Sequence, residues 1–249
     1  MAQVIKIEDY ISRYEIDPYR YTNQFIRYKK LQWEELKNKS ESDHLEQMKK
    51  QFLDKIFQNQ IIWASSTVRS QSFVDEKYYS DSTLKYFAQR FPDQYLFMYY
   101  PVFSIKKAPM QAEIIILCPT EILCISFLDG EKDEVIIATD DHFWIQRGTK
   151  GEQKILSPIT GLKRTEGIIK SSIKDLHIEM PIKKLLIYSD GYIHAPDLPL
   201  DYKIVDKREY EEWFYRMRQN PSPIKHNQLK IAKTLLSNCL STSYDRFDF

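Results

Sequence analysis

The alternation of apolar and polar positions divides the chain into a helical start, a strand-rich centre and a helical end. From Thr22 to Asn59 apolar side chains recur at helical spacing with polar residues between them, so residues 1–93 are predicted to be mostly helical. The segment Ser40 to Asp43 is polar and can divide this stretch into two helices. We expect residues 1–93 and the C-terminal helices of residues 207–249 to pack on a core formed by residues 94–206.

The central region contains short runs rich in β-branched and aromatic residues, which are typical of strands. One helix interrupts them: it begins at Pro158, and its apolar stripe includes Leu162 and Ile169. The predicted strands are residues 95–105, 111–117, 122–128, 135–138, 143–145, 182–188 and 202–205. This order predicts a fold of the α/β (α+β) class, with a mixed sheet and flanking helices.

The strands 111–117 and 122–128 are almost continuously apolar, separated only by a break at Cys118-Pro119-Thr120. We expect them to pair antiparallel, with cover on both faces of the sheet, because a sheet with one face in water shows alternating polarity. The helix after Pro158 should cover one face, and the cover should include the N-terminal helices. In the C-terminal region, Trp213 shares a helical face with Tyr210 and Met217 and is predicted to be buried.

Composition and charge narrow the class of protein. The 249 residues contain 36 Lys plus Arg and 35 Asp plus Glu, a net charge of +1, so no global field favours nucleic acid or an anionic membrane. The three cysteines include no CxxC pair, the first residues contain no apolar signal region, and no apolar run approaches a membrane span. We expect a cytoplasmic protein without membrane contact. The six glycines form no dinucleotide, P-loop or hydrolase-elbow motif, so these chemistries have no support.

A helix, three antiparallel strands, a crossover helix and a further strand is the core order of the restriction-endonuclease-like fold. Within this order, the string AEIIILCPTEILCISFLDG (residues 112–130), Phe143-Trp144 and Ser157-Pro158-Ile159 resemble the nuclease-related domain family called NERD. The resemblance is closest to the small NERD-domain proteins of Bacillus and related bacteria, which are similar also at YEEWF (residues 210–214) and PIKHNQLK (residues 223–230).

The resemblance implies a nuclease site in which an acid and an ExK pair surround a divalent cation that activates water. Carried over by position, the acid falls on Glu113, and the ExK acid and lysine fall on Ser126 and Leu128. A glutamine that family members carry on the crossover helix falls on Gly161. Ser126 offers a neutral hydroxyl and Leu128 no charge, so the resemblance implies a degenerate site.

Two hypotheses follow from this departure. The first is a NERD-domain protein without catalysis, metal or cofactor, which binds DNA, another nucleic acid or a protein. The second is a Mg²⁺- or Mn²⁺-dependent nuclease acting on DNA, which retains Glu113 and has its other groups on neighbouring elements. A purely structural module is left open by the near-neutral charge.

Several further residues have both a functional and a structural interpretation. Glu113 is either a vestigial ligand or a solvated carboxylate at a strand end. The acidic run Asp129, Glu131, Asp133 and Glu134 is either a source of a migrated carboxylate or a solvated loop. The N-terminal aromatics either stack bases or form core. The candidate phosphate contacts, which are equally typical of solvated helix faces, are Lys163, Lys170, Lys174, His226, Lys230 and Lys233.

Overall fold

A computed structural model describes residues 1–39, 45–139, 142–220 and 222–246. The expected break at Ser40 to Asp43 lies outside these residues. The helices are α1 (Arg13–Ile16), α2 (Pro18–Lys39), α3 (Leu45–Trp63), α4 (Lys77–Ser80), α5 (Ser82–Arg90), α6 (Pro158–Ile173), α7 (Tyr210–Arg218) and α8 (His226–Asn238). The strands are β1 (Gln3–Ile7), β2 (Ser70–Gln71), β3 (Leu96–Tyr99), β4 (Val102–Ile105), β5 (Ala108–Gln111), β6 (Ile114–Leu117), β7 (Ile122–Phe127), β8 (Val135–Ala138), β9 (Phe143–Gly148), β10 (Gly151–Leu156), β11 (Ile182–Tyr188), β12 (Tyr192–His194), β13 (Tyr202–Asp206) and β14 (Tyr244–Asp245).

In the described ranges, the centre of the fold is a six-stranded mixed sheet of order β1-β3-β6-β7-β11-β13. β3, β6 and β7 are successively antiparallel, with Ile114 opposite Ile125. The crossover through α6 returns the chain to β11, which lies parallel to β7 and to β13. The expected antiparallel pairing of the two central strands is confirmed, and so is the α/β class with a mixed sheet and flanking helices.

Helices cover both faces of this sheet, as the continuous apolar strands require. One face packs against α3, α5 and α7, where Phe57, Phe87 and Trp213 meet Ile116 and Ile125. The opposite face packs against α6 and α8 and against a second sheet, through residues that include Leu162, Leu235 and Trp144. The predicted burial of Trp213 is confirmed, because 4% of its surface is exposed. The division into three regions stays a prediction.

The N-terminal region differs from the expectation at its first element. Residues Gln3–Ile7 form a strand that pairs parallel with β3 at the edge of the central sheet. All five residues are buried, including Gln3 and Lys6, so the strand lacks the polar alternation that identifies an amphipathic strand. Besides partners within residues 10–15, Gln3 donates to the carbonyl of Asp93 and Lys6 to the carbonyl of Leu240. A local sequence pattern does not show these distant partners.

The strands 135–138 and 143–145 do form, but outside the central sheet. β8 and β9 belong to a second sheet of order β10-β9-β8-β12. The sequence pattern did not predict its outer strands β10 and β12. β10 contains the polar run Glu152-Gln153-Lys154, which lacks the β-branched and aromatic residues typical of strands. The predicted strand 95–105 is divided into β3 and β4 at Tyr100, which has a positive φ of 48°.

Candidate functional site

Glu113 lies between β5 and β6, on the face of the central sheet that α6 covers. Its backbone N–H donates to Oγ1 of Thr165 in α6 at 2.8 Å. The Thr165 hydroxyl in turn donates to the carbonyl of Gly161 one helical turn earlier, at 2.9 Å. The start of β6 is therefore tied to the middle of the crossover helix.

The structure brings three of the positions assigned by the resemblance together. Since Ile114 is opposite Ile125, the register places Glu113 opposite Ser126 on the neighbouring strand, and the Ser126 side chain hydrogen-bonds the Glu113 carboxylate. A Cβ atom added to Gly161 would overlap Oε1 of Glu113. The carboxylate therefore occupies the space above a glycine on α6, where a larger residue would displace it. The roles assigned to these residues stay predictions.

The surroundings of Glu113 disfavour its charged form. Burial raises the pKa of the Glu113 carboxyl, against the opposing effects of the Arg164 guanidinium and the Ser126 hydrogen bond. Tyr100 lies near the same carboxyl: burial and the charges of Glu113 and Asp129 raise the pKa of Tyr100 to about 12. The site is thus a half-buried carboxyl with one nearby guanidinium.

Leu128, the position of the lost lysine, follows β7 directly. Its backbone N–H donates to the carbonyl of Ile187 at 2.8 Å, which extends the pairing of β7 with β11. Its side chain packs against the core on the α6 side and lines a cavity of about 530 Å³ at the carboxyl ends of these two strands. An apolar side chain therefore stands where the resemblance implies an ammonium.

The donors at this point do not fit a divalent cation. Mg²⁺ and Mn²⁺ prefer several oxygen ligands with at least one or two carboxylates, whereas Glu113 and Ser126 supply one carboxylate and one hydroxyl. Among the described residues, no group of three or more His, Cys, Asp or Glu side chains is arranged to hold a metal ion.

The acidic run after β7 is directed mostly toward the second sheet. Glu131 pairs with Lys150, and Asp133 pairs with Lys207. Glu134 is buried and accepts from the amide of Gln146 at 2.5 Å and from the backbone of Glu131 at 2.9 Å. Of this run, Asp129 is the acid whose charge acts on Tyr100 together with Glu113. Within this run, Glu131 and Asp133 are therefore ion-paired, and Glu134 is held by neutral donors.

The candidate basic residues lie on the outer faces of α6 and α8, which pack side by side on the sheet. Lys163 is exposed, as is Lys174 just after α6, while Lys170 pairs with Glu166 at 2.8 Å. On α8, Lys230 and Lys233 are exposed, and α8 contains no acidic residue. The His226 ring is exposed and lies 5.6 Å from the ring of Tyr19. We call the surface formed by Lys163, Lys170, Lys174, His226, Lys230 and Lys233 the basic face.

The sequence did not lead us to assign Arg164 and Thr165 to the site around Glu113, although their spacing from Gly161 indicates it. They stand three and four residues after Gly161, so they share its helical face and approach the same strand. A search for polar residues at this spacing from Gly161 would have found both.

The sequence pattern also did not predict a buried ion pair on β11, the strand next to β7. Lys184 of β11 lies opposite Cys124 of β7. Its ammonium is 2.6 Å from Glu166 and also pairs with Asp201. Burial opposes the charge on Lys184, but Asp201 and Glu166 together raise its pKa. Both glutamates lie on the α6 side of the sheet, because Glu166 belongs to α6 and the Glu113 carboxylate lies against Gly161 of α6. Burial raises the pKa of the Cys124 thiol, and the charges of Glu166 and Glu113 raise it further.

Comparison with known proteins gives limited similarity. No family model matches the chain, and no solved structure matches it. A segment of 43 residues, 17% of the chain, is 51% identical to part of an RNA 2',3'-cyclic phosphodiesterase from Geobacillus stearothermophilus. The matched segment spans 14% of the length of that relative. Separately, none of the described helices is both long enough and apolar enough to cross a lipid bilayer.

Proposed function

We propose that this chain is a non-catalytic member of the NERD family with a restriction-endonuclease-like core, and that it binds nucleic acid through the basic face. The fold assignment rests on the order β3-β6-β7-β11, with three antiparallel strands, the α6 crossover and a parallel return. The convergence of Glu113, Ser126 and Gly161 supports the alignment with the family motif.

The observation that carries the proposed binding is the charge distribution on α6 and α8. The two helices lie side by side, and their only acid, Glu166, is mostly buried and pairs with both Lys184 and Lys170. A chain of net charge +1 therefore presents a local surface of cations with no exposed carboxylate on either helix. Lysine and arginine on such a surface bind phosphates by charge and release counterions.

The experiment measures binding of labelled single-stranded and duplex DNA and RNA by fluorescence anisotropy at several salt concentrations. RNA is included because the short matched relative is named for action on RNA. The triple variant Lys163→Gln, Lys230→Gln, Lys233→Gln should bind at least about tenfold more weakly at low salt and with a smaller salt dependence, since each lost phosphate contact reduces the slope by about 0.9 on duplex DNA.

The matched control removes three exposed lysines elsewhere, Lys49→Gln, Lys106→Gln and Lys132→Gln. It should bind like the wild type. The proposal is wrong if no nucleic acid binds at low salt, or if the control variant loses as much affinity as the basic-face variant.

The absence of catalysis is tested by incubating the same nucleic acids with Mg²⁺ or Mn²⁺. We expect no cleavage above that of Glu113→Ala, because losing one charge-stabilising group costs about 10²–10³ in rate and here both the second carboxylate and the ammonium have been replaced. Cleavage by the wild type that Glu113→Ala abolishes would contradict this.

A second candidate function, a Mg²⁺- or Mn²⁺-dependent nuclease with migrated groups, is favoured by Glu166 and Lys184. They supply a carboxylate and an ammonium on the same side of the sheet as Glu113. Both oxygens of Glu166 are engaged by ammonium groups, of Lys170 and Lys184, so metal binding would require Glu166 to leave its lysines. If this candidate is correct, Glu166→Gln and Lys184→Met abolish cleavage, while the exposed-site variant Glu179→Gln retains it.

A further inference from the structure

β10 is an edge strand of the second sheet. It pairs along its whole length with β9, from Gly151 opposite Gly148 to Leu156 opposite Phe143. Among the strands of the described residues, none lies on its other side. Gly151 to Lys154 are all exposed. A regular, exposed edge presents unpaired N–H and C=O groups that can pair with another strand.

The direction of the backbone groups follows from the hairpin. In antiparallel pairs, successive residues alternate between exchanging hydrogen bonds with the partner strand and pointing away from it. Gly148 and Gly151 flank the two-residue turn, and Ser157 further along donates its N–H to the carbonyl of His142 at 2.9 Å across the same ladder. The odd-numbered residues of β10 therefore bond to β9, and the backbone groups of Glu152, Lys154 and Leu156 point outward.

If two copies of β10 pair antiparallel through these outward backbone groups, only one symmetric register places opposite charges across from one another. Pairing two copies of β10 antiparallel about Glu152 places Glu152 opposite itself, and pairing about Lys154 places Lys154 opposite itself. Pairing about Gln153 places Glu152 of each copy opposite Lys154 of the other, as two identical ion pairs in a hydrogen-bonding position. Opposite charges stabilise such cross-strand pairs, whereas like charges destabilise them.

We propose that β10 pairs with β10 of a second copy of this chain, antiparallel about Gln153, to form a two-fold symmetric dimer with an eight-stranded sheet. The Gln153 side chain does not block the two-fold axis, because its amide N–H donates to Oε1 of Gln146 within its own chain at 2.9 Å. Such an isologous interface uses the same patch on both copies.

The charged groups around the pair are consistent with this arrangement. Glu152 already pairs with Arg147 of β9 at 2.6 Å within the chain, so in the dimer it lies between Arg147 and Lys154 of the second copy. Lys150 at the turn pairs with Glu131. One pair of edge strands buries little surface, so the association is of the weak class.

The test is sedimentation velocity over a range of protein concentrations, roughly from 10 µM to 1 mM, as suits a weak interface. The wild type should show a concentration-dependent dimer. Lys154→Glu alone and Glu152→Lys alone each place like charges opposite one another and should weaken the dimer by about tenfold or more. An equimolar mixture of these two variants restores opposite charges across the axis, and should form a heterodimer with an affinity close to that of the wild-type dimer.

The double variant Glu152→Lys, Lys154→Glu should likewise recover the homodimer, and Lys132→Glu, an exposed lysine outside β10, should leave it unchanged. Because Glu152→Lys also loses the Arg147 pair, its melting temperature is measured, and Lys154→Glu provides an independent loss of the dimer. A wild type that stays monomeric throughout overturns the proposal. So does a dimer that both single variants retain, or a mixture in which no heterodimer forms.

Discussion

The surroundings of Glu113 favour its neutral carboxyl, and this makes the folding stability depend on pH. The folded-state pKa is raised above the ordinary value of 4.5, so in the interval between these values the folded chain binds more protons than the unfolded chain. Folding stability from this group is therefore present at low pH and is lost as the pH rises through the raised pKa. A carboxylate at this position destabilises the protein at neutral pH.

We predict that Glu113→Gln raises the melting temperature at pH 7, because glutamine keeps a hydrogen-bonding side chain without the buried charge. The gain should disappear below about pH 4, where the glutamate is protonated in both states. Thermal unfolding of wild type and variant between acidic and neutral pH measures this. Glu179→Gln, at an exposed position, serves as the control and should follow the wild type; a Glu113→Gln variant less stable than wild type at pH 7 would contradict the prediction.

Trp213 gives a second prediction for a single residue. Its ring packs among Phe87, Phe91 and Tyr210, with centroids 6.0–6.3 Å away. Trp213→Ala should lower the free energy of unfolding by about 3–5 kcal/mol through lost burial and the cavity left behind. On the same helix, Tyr215 is 63% exposed. Tyr215→Ala should change the free energy of unfolding by about 0.5 kcal/mol or less. Urea denaturation of the two variants distinguishes the outcomes.

At the scale of one element, α6 contains two glycines in different surroundings. Nothing lies within 4 Å of a Cβ atom added at Gly167, whereas one added at Gly161 overlaps the Glu113 carboxylate. Glycine within a helix costs about 0.8–1 kcal/mol relative to alanine. The close approach of Glu113 gives a physical reason for glycine at the first position but not at the second.

We predict that Gly167→Ala stabilises the protein by about 0.5–1 kcal/mol in any background. Gly161→Ala should stabilise it by a similar amount only in a Glu113→Ala background, and by less in the wild type, where the carboxylate must move away from Ser126. A double-mutant cycle on denaturant unfolding measures the coupling between residues 161 and 113. Additive effects of the two substitutions would show that they do not touch.

At the scale of the whole molecule, Lys6 joins the two ends of the chain. Its side chain is fully buried, and its ammonium lies 2.6 Å from Glu15, 2.7 Å from the Tyr10 carbonyl oxygen, and 2.8 Å from the Leu240 carbonyl and Ser241 hydroxyl oxygens. Its three N–H groups are shared among these four acceptors. The segment after α8 continues from there along the N-terminal region, where Thr242 bridges Tyr10. One buried lysine thus fixes the C-terminal segment against the first strand.

Lys6→Met should cost on the order of 3 kcal/mol in unfolding free energy, because acceptors from both ends of the chain lose a buried donor. It should also increase hydrogen exchange in residues 240–246. Lys183→Met is the control: it removes the ion pair between Glu121 and Lys183, whose side chain is half exposed. It should change the free energy of unfolding by about 1 kcal/mol or less. Unchanged exchange at residues 240–246 in Lys6→Met would contradict the proposed tie.

The sequence by itself determined the elements whose pattern is local. The central strands, the crossover helix and the buried face of α7 follow from apolar spacing within a few residues, because a strand or helix repeats its exposure at a fixed period. The alignment with the NERD motif stays a proposal; the three positions that it assigns, Glu113, Ser126 and Gly161, do lie together, because strand register and the start of α6 bring them to one place.

Only the tertiary structure decided the features that depend on distant partners. β1 is a strand because β3 lies beside it and Lys6 meets residues 240 and 241 more than 230 positions away. The membership of β8 and β9 in a separate sheet, and the position of Arg164 beside Glu113, likewise depend on packing between elements. Buried polar groups and edge strands carry little local signal, because their free energy depends on partners that the chain supplies only when it is folded.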